Sequence, residues 1–154
     1  FDHNMRGAKE AGIKTGVYFF TQAITVEEAI EEADYVLENI TGYDVSYPVV
    51  FDVEMIVNDD GRANGLSQKD RTDITIAFCD RIKAAGFTPM IYGNVKCFTK
   101  LLDMTRLNDY EKWYAFYDDY MYMPYEVGIW QYTEKGKVAG INTGVDLNIS
   151  YKEY

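Results

Sequence analysis

Short apolar runs alternate along this chain with stretches whose apolar residues recur at helical spacing, and the helices run out before the runs do. Gly16-Val17-Tyr18-Phe19-Phe20, Tyr47 to Glu54, Thr88 to Asn94, Lys112 to Tyr117, Val127 to Tyr132 and Val145 to Ser150 read as six strands. Between them, residues 4–12 form a helix stopped by Gly12. A second helix runs from Val26 through Ala29, Ile30, Ala33, Val36, Leu37 and Ile40 to Gly42. Thr25 and Glu28 in front of that helix have the spacing of a capping box, in which each side chain satisfies the other's free backbone N–H. Ser67 caps a third helix over 68–85, with Ile74, Ala77, Phe78 and Ile82 on one stripe and Gly86 at its end. A helical segment is expected over 95–103, and turn residues fill Asn58 to Gly65. Glu134-Lys135-Gly136-Lys137 reads as the turn of a final hairpin.

Strand–helix alternation implies a parallel sheet with helical crossovers, either doubly wound or curled into a barrel. A doubly wound sheet gathers its ligand at one switch point, usually with a glycine-rich phosphate loop. Neither G-x-G-x-x-G nor G-x-x-x-x-G-K-[ST] occurs in this chain. Instead, every strand ends in a residue able to touch a sugar or a proton: Tyr18 and Phe20, Asp52 and Glu54, Tyr92 and Asn94, Tyr117, Trp130 and Tyr132, Asp146 and Asn148. A site assembled from many strand ends is the pattern of a β/α barrel.

Within that pattern, Tyr47-Pro48-Val49-Val50-Phe51-Asp52-Val53-Glu54 carries the most chemistry. Side chains two residues apart on a strand leave the same face, so Asp52 and Glu54 are expected to point into one space. Neighbouring acids push each other's pKa values apart, and one can hold a proton while the other stays ionised. Glycoside hydrolysis uses that division of labour. A lone D-x-E is more often simply an acidic strand end, so the pair needs the rest of the chain behind it.

Composition removes several competing chemistries. The single histidine, His3, leaves no His-based triad or two-His zinc motif, and Cys79 and Cys97 have no metal or redox spacing; both read as small core residues. Carboxylates must therefore carry any hydrolytic step, with no cofactor and no metal. A net charge of −10 argues against nucleic acid as a partner, and no apolar stretch approaches the roughly 20 residues of a membrane span. Aromatic residues make up 16% of the chain, 14 of them tyrosines, whose rings can face sugars as well as fill cores.

The ordered set Gly7-Ala8-Lys9-Glu10-Ala11-Gly12-Ile13, Gly16 to Phe20, Tyr47 to Glu54, Pro89-Met90-Ile91-Tyr92-Gly93-Asn94, Ile129-Trp130-Gln131-Tyr132 and Val145-Asp146-Leu147-Asn148 resembles the glycoside hydrolase family 25 lysozymes over essentially the whole chain. The resemblance implies a modified β/α (TIM-like) barrel whose last strands lack intervening helices. It also implies cleavage of the β-1,4 bond between N-acetylmuramic acid and N-acetylglucosamine in peptidoglycan. By that resemblance, Glu54 matches the proton donor and Asp52 the partner that stabilises the developing positive charge. Asp146 matches a further acid of the site, and Tyr18, Tyr92 and Trp130 match aromatics lining the sugar groove, with Phe20, Asn94 and Tyr117 beside them.

The family normally opens with a D-V-S strand that supplies another aspartate. Asp44-Val45-Ser46 stands in the wrong place for it and reads as a turn. Residues 1–154 are accordingly expected to be the C-terminal portion of such a catalytic domain, with six strands against the eight of a closed barrel. A second copy or a preceding segment would complete it. The expected partner is peptidoglycan, and the expected location is secreted or cell-wall associated. A peptidoglycan-binding fragment without turnover is the competing reading. A chitinase is the weaker one, because the D-x-x-D-x-D-x-E pattern is absent.

Overall fold

The computed structural model describes residues 1–57 and 61–154; three positions of the expected Asn58–Gly65 turn lie outside the described residues. The elements follow in the order α1 (Asp2–Glu10), β1 (Val17–Phe20), α2 (Val26–Ile40), β2 (Val49–Asp52), α3 (Gln68–Ala84), β3 (Pro89–Asn94), β4 (Glu111–Ala115), β5 (Ile129–Gly136) and β6 (Val145–Ser150). The strands form one sheet in chain order, parallel from β1 to β5, with β6 antiparallel to β5. That order never reverses, so the sheet has no switch point and the doubly wound alternative falls.

The sheet is curled. Tyr18 of β1 and Asn148 of β6, from its two outermost strands, line the same void of about 350 Å³. In a flat six-stranded sheet those strands would stand about 24 Å apart. The curl gives each strand an inner and an outer side, and the sequence sorts onto them by alternation. Val49, Phe51, Val53, Ile91 and Tyr114 face outward into a core with Ala29, Ala33, Val36 and Ile40 of α2 and Ile74, Phe78, Cys79 and Ile82 of α3. Phe51 stacks on Phe78 with ring centroids 4.4 Å apart. Val50, Met90 and Ile129 face inward with Tyr47, Tyr92 and Trp113 around them. Cys79 and Cys97 are free and buried, as small core residues should be.

The expected caps form. Thr25 accepts from Glu28 N–H at 3.2 Å, Glu28 Oε2 accepts from Ile24 N–H at 2.8 Å, and Ser67 Oγ accepts from Asp70 N–H at 3.1 Å. Gly12, Gly42 and Gly86 end α1, α2 and α3 in the positive-φ conformation that glycine adopts without a Cβ clash. The helical segment expected after β3 forms over 95–101, with π geometry from Cys97 to Leu101, and a separate 3-10 turn follows over Met104–Arg106. One expectation shifts. Strand β5 runs on to Gly136, so the hairpin turns beyond the expected tetrapeptide, within residues 137–144.

Candidate active site

Five strands bring the carboxylate pair on β2 its surroundings. β2 ends at Asp52, and the ladder continues one residue further through Val53 N–H to Tyr92 O at 3.1 Å, which holds the chain extended up to Glu54. Asp52 and Glu54 therefore leave the same side. They share a cleft of about 220 Å³ with Tyr18, Tyr92, Trp113, Gln131 and Asp146. In register, Phe20 of β1 lies beside Asp52, Asp52 beside Tyr92 of β3, and Tyr92 beside Trp113 of β4. The Tyr92 and Trp113 rings meet edge to face at 4.9 Å. Trp113 is itself anchored by its Nε1–H, which donates to Asn148 Oδ1 at 2.8 Å across the mouth of the curled sheet.

The electrostatics of the pair follow from this geometry. Asp52 is buried, and its carboxyl pKa is pushed up to about 7, first by loss of solvent and then by the charge of Glu54; the Glu54 N–H, 3.3 Å from Oδ1, works in the other direction. Glu54 is half-buried and its pKa is also raised, again chiefly by desolvation, with Asp146 adding to the rise. Asn94 opposes it by donating Nδ2–H to Glu54 Oε1 at 3.3 Å. The orientation of Asn94 is set by the backbone, since its Oδ1 accepts from Lys96 N–H at 3.0 Å and Cys97 N–H at 3.3 Å where the π turn begins. Cys97 Sγ in turn donates to Val53 O at 3.3 Å, tying that turn to the residue between the two acids. Both acids are thus pushed toward their protonated forms, Asp52 the further of the two.

The structure thus brings Tyr18, Asp52, Glu54, Tyr92 and Asp146 together, with Asn94 bonded to Glu54. Phe20 is partly exposed on the same side at the end of β1, outside the cleft lining. Tyr117 reaches the site through Gln131, donating its hydroxyl to Oε1 at 2.9 Å, beside Tyr92, which donates to the same atom at 2.8 Å. Trp130 is placed elsewhere. It pairs with Tyr114, an outward-facing residue, and its Nε1–H donates to Phe116 O at 2.7 Å.

One residue of register decides this: Gln131 faces the cleft, so Trp130 cannot. The tryptophan of the cleft is Trp113. Gln131 was not singled out from sequence as a site residue, although a polar Gln inside an apolar strand was a usable signal of which side faces the site. The described residues hold no cluster of three or more potential metal ligands, and no helix among them is long and apolar enough to cross a membrane.

Comparison with known proteins bears on the family of the chain. A curated protein of Escherichia coli K12, YegX, is 28% identical over 155 residues, covering 97% of this chain; the chain spans about half, 52%, of that relative's length. A Streptococcus phage B30 protein named D-alanyl-L-alanine endopeptidase is 34% identical over 140 residues, covering 77% of this chain and 28% of its own. Among solved structures, the modular autolysin LytC of Streptococcus pneumoniae superposes with a TM-score of 0.84 at 28% identity, over 97% of this chain and 36% of that one. The same autolysin has been solved with a synthetic peptidoglycan ligand. A lysozyme of Streptomyces coelicolor shares the fold, with a TM-score of 0.76 at 21% identity over 99% of this chain and 74% of its own. Glycosyl hydrolases family 25 matches residues 1–141, nearly the full length, and the chain belongs to that family.

Proposed function

We propose that this chain hydrolyses peptidoglycan at the β-1,4 bond between N-acetylmuramic acid and N-acetylglucosamine, outside the cytoplasm at the cell wall. The observation that carries this reading is the convergence of Asp52, Glu54 and Asp146 with Tyr18, Tyr92 and Trp113 in one open cleft. The aromatic rings offer apolar faces on which sugar rings stack, and the carboxylates supply the proton and the negative charge that an oxocarbenium-like transition state requires. Glu54, the more accessible of the pair, donates its proton to the leaving glycosidic oxygen. Asp52, ionised at that moment, faces the positive charge growing on the sugar. Loss of solvent raises the Glu54 pKa and the charge of Asp146 adds to the rise, both favouring its protonated form.

Burial of Asp52 favours a second assignment of roles, in which Asp52 keeps its proton and Glu54 is the ionised partner. The two are separated by experiment. Glu54→Gln should abolish release of reducing ends from purified peptidoglycan, by at least about 1,000-fold, with an unchanged circular dichroism spectrum. A substrate with a good leaving group, which needs no protonation, should restore turnover to the variant that lacks the acid and not to the one that lacks the stabiliser. Rescue of Asp52→Asn rather than Glu54→Gln would reverse the roles. A Glu54→Gln variant that still lyses walls would sink the assignment of the pair, and binding to walls without any turnover would favour a peptidoglycan-binding fragment.

A further inference from the structure

Arg71, in the first turn of α3, is the most deeply buried charged side chain among the described residues, at 2% exposed. Loss of solvent works against its positive charge. Its hydrogen bond among the described residues runs from Nη2 to Ala63 O, at 2.6 Å, and its Nε is buried without a partner. Burying a guanidinium with a donor left unused costs stability, so packing does not account for its presence.

What the bond holds is the loop that leaves Glu54 and returns to α3. The ladder of β2 ends at Val53, whose N–H donates to Tyr92 O and whose own O accepts from Cys97 Sγ. Beyond Glu54 the next fixed point is Ile56. Its N–H and O are both taken by the side-chain amide of Asn64, at 3.1 and 2.9 Å. Asn64 directly follows Ala63, and the Ala63 carbonyl is where α3 grips the loop, since it accepts from Arg71 and, at 3.3 Å, from Leu66 N–H. A second tie to a helix, Arg62 to Glu28 of α2 at 2.9 Å, is exposed and therefore weak. The charge of Arg71 also reaches Cys97, the residue bonded to Val53 on the other flank of Glu54.

We propose that Arg71 is a positioning residue for Glu54. The buried guanidinium fixes Ala63, Ala63 fixes Asn64, and the Asn64 clamp on Ile56 holds the chain so that the Glu54 carboxyl meets Asn94 in the cleft. The inference rests on the reading of Glu54 as an acting carboxylate and adds what aims it. A planar guanidinium holds a carbonyl in a fixed geometry that a flexible ammonium does not reproduce. Misplacing an acting group by about 1 Å costs about 100-fold in rate.

The test reads the Glu54 carboxyl itself, by carbon NMR titration of the whole chain, with its signal assigned by its loss in Glu54→Gln. Arg71→Lys keeps the charge and loses the planar fork; Arg71→Met loses both. Asn64→Ala cuts the next link at a half-buried position where folding is not at stake. In all three variants the Glu54 carboxyl drifts from Asn94, whose hydrogen bond favours the ionised form, so its pKa should rise. The shifts of Arg71→Lys and Asn64→Ala should not add in the double variant, because both break one chain of contacts. On peptidoglycan, kcat should fall about 10- to 100-fold with KM within about twofold.

A shift in Arg71→Met alone would be an effect of charge and would overturn positioning. Additive shifts, or an Asn64→Ala variant with unchanged Glu54 titration, would overturn it as well. Normal cleavage with a Glu54 titration untouched by all three variants would overturn the inference and leave hydrolysis intact. A wild type whose Glu54 titration depends on Arg71 but which cleaves no peptidoglycan would overturn the proposed reaction and leave the inference standing.

Discussion

Asp52 is held where an ionised carboxylate is disfavoured, so the residue that serves the site works against the fold. In the unfolded chain its carboxyl ionises at its ordinary value of 3.8; in the folded chain it holds its proton to about 7. A raised carboxyl pKa contributes stability that is fully present below the unfolded value and is lost as pH rises through the folded one. Asp52→Asn, neutral throughout, should therefore match wild type near pH 3.5 and exceed it by roughly 1–3 kcal/mol at pH 8. Melting curves at the two pH values check this, and a gap independent of pH would mean that Asp52 ionises freely. Asn94 acts on the other acid. It donates to Glu54 and favours its ionised form, so Asn94→Ala should raise the Glu54 pKa. If Glu54 is the donor, the alkaline limb of the pH–rate profile moves to higher pH, and a limb that stays put would show that the Asn94 bond does not act on the proton donor. The carboxylates, Tyr18 and Tyr92 were legible in the sequence because their types and spacing carry the chemistry. The side on which Trp113 faces was not, because Lys112 to Tyr117 is nearly unbroken in apolar and aromatic residues and gives no alternation from which to tell the inner side from the outer.

At the scale of elements, helices with caps were read to within a few residues because Thr25, Ser67 and the terminating glycines act locally. The segment after β3 is helical as expected, and Asn94 starts it as an ordinary N-cap does, its Oδ1 taking the N–H groups of Lys96 and Cys97 while its Nδ2 reaches Glu54; the π geometry that follows left no local mark in the sequence. The β5–β6 hairpin was placed short. Gly136 reads as a turn residue, yet it sits within the strand pair, opposite Val145, because the neighbouring strand leaves no room for a side chain. A Cβ there would stand 2.3 Å from Leu147 Cγ and 2.9 Å from Val145 O. Gly136→Ala should thus force β6 away and cost about 1–3 kcal/mol. Asp146 and Asn148 ride on β6, so the same change should loosen the far wall of the cleft. Hydrogen exchange gives the measure: faster exchange confined to Val145–Ser150 is expected, and unchanged protection there would show that the strand pair absorbs the methyl group.

Over the whole molecule, the alternation of strands and helices made a curled parallel sheet legible, and the loss of helices after β4 matched the antiparallel β6. The degree of curl was not, because it arises from the packing of Val50, Met90 and Ile129 against Tyr47 and Trp113 on the concave side, a cooperative property of strands far apart in sequence. Net charge is also a whole-molecule property, and it bears on how the chain meets its proposed substrate. With 25 acidic and 15 basic residues the protein carries −10, and peptidoglycan stem peptides carry carboxylates of their own. Encounter is then opposed by like charge over a distance set by the ionic strength, about 30 Å at 0.01 M and about 8 Å at 0.15 M. Lysis of intact walls should accordingly rise severalfold as salt is raised across that range, through the association step. Cleavage of a short, uncharged oligosaccharide should stay flat, since it meets no repulsion. Paired rate measurements on the two substrates separate the effects: a rise on both would place the salt response in the carboxylate cleft, whereas a fall on intact walls would mean that a local positive surface, rather than the net charge, governs approach.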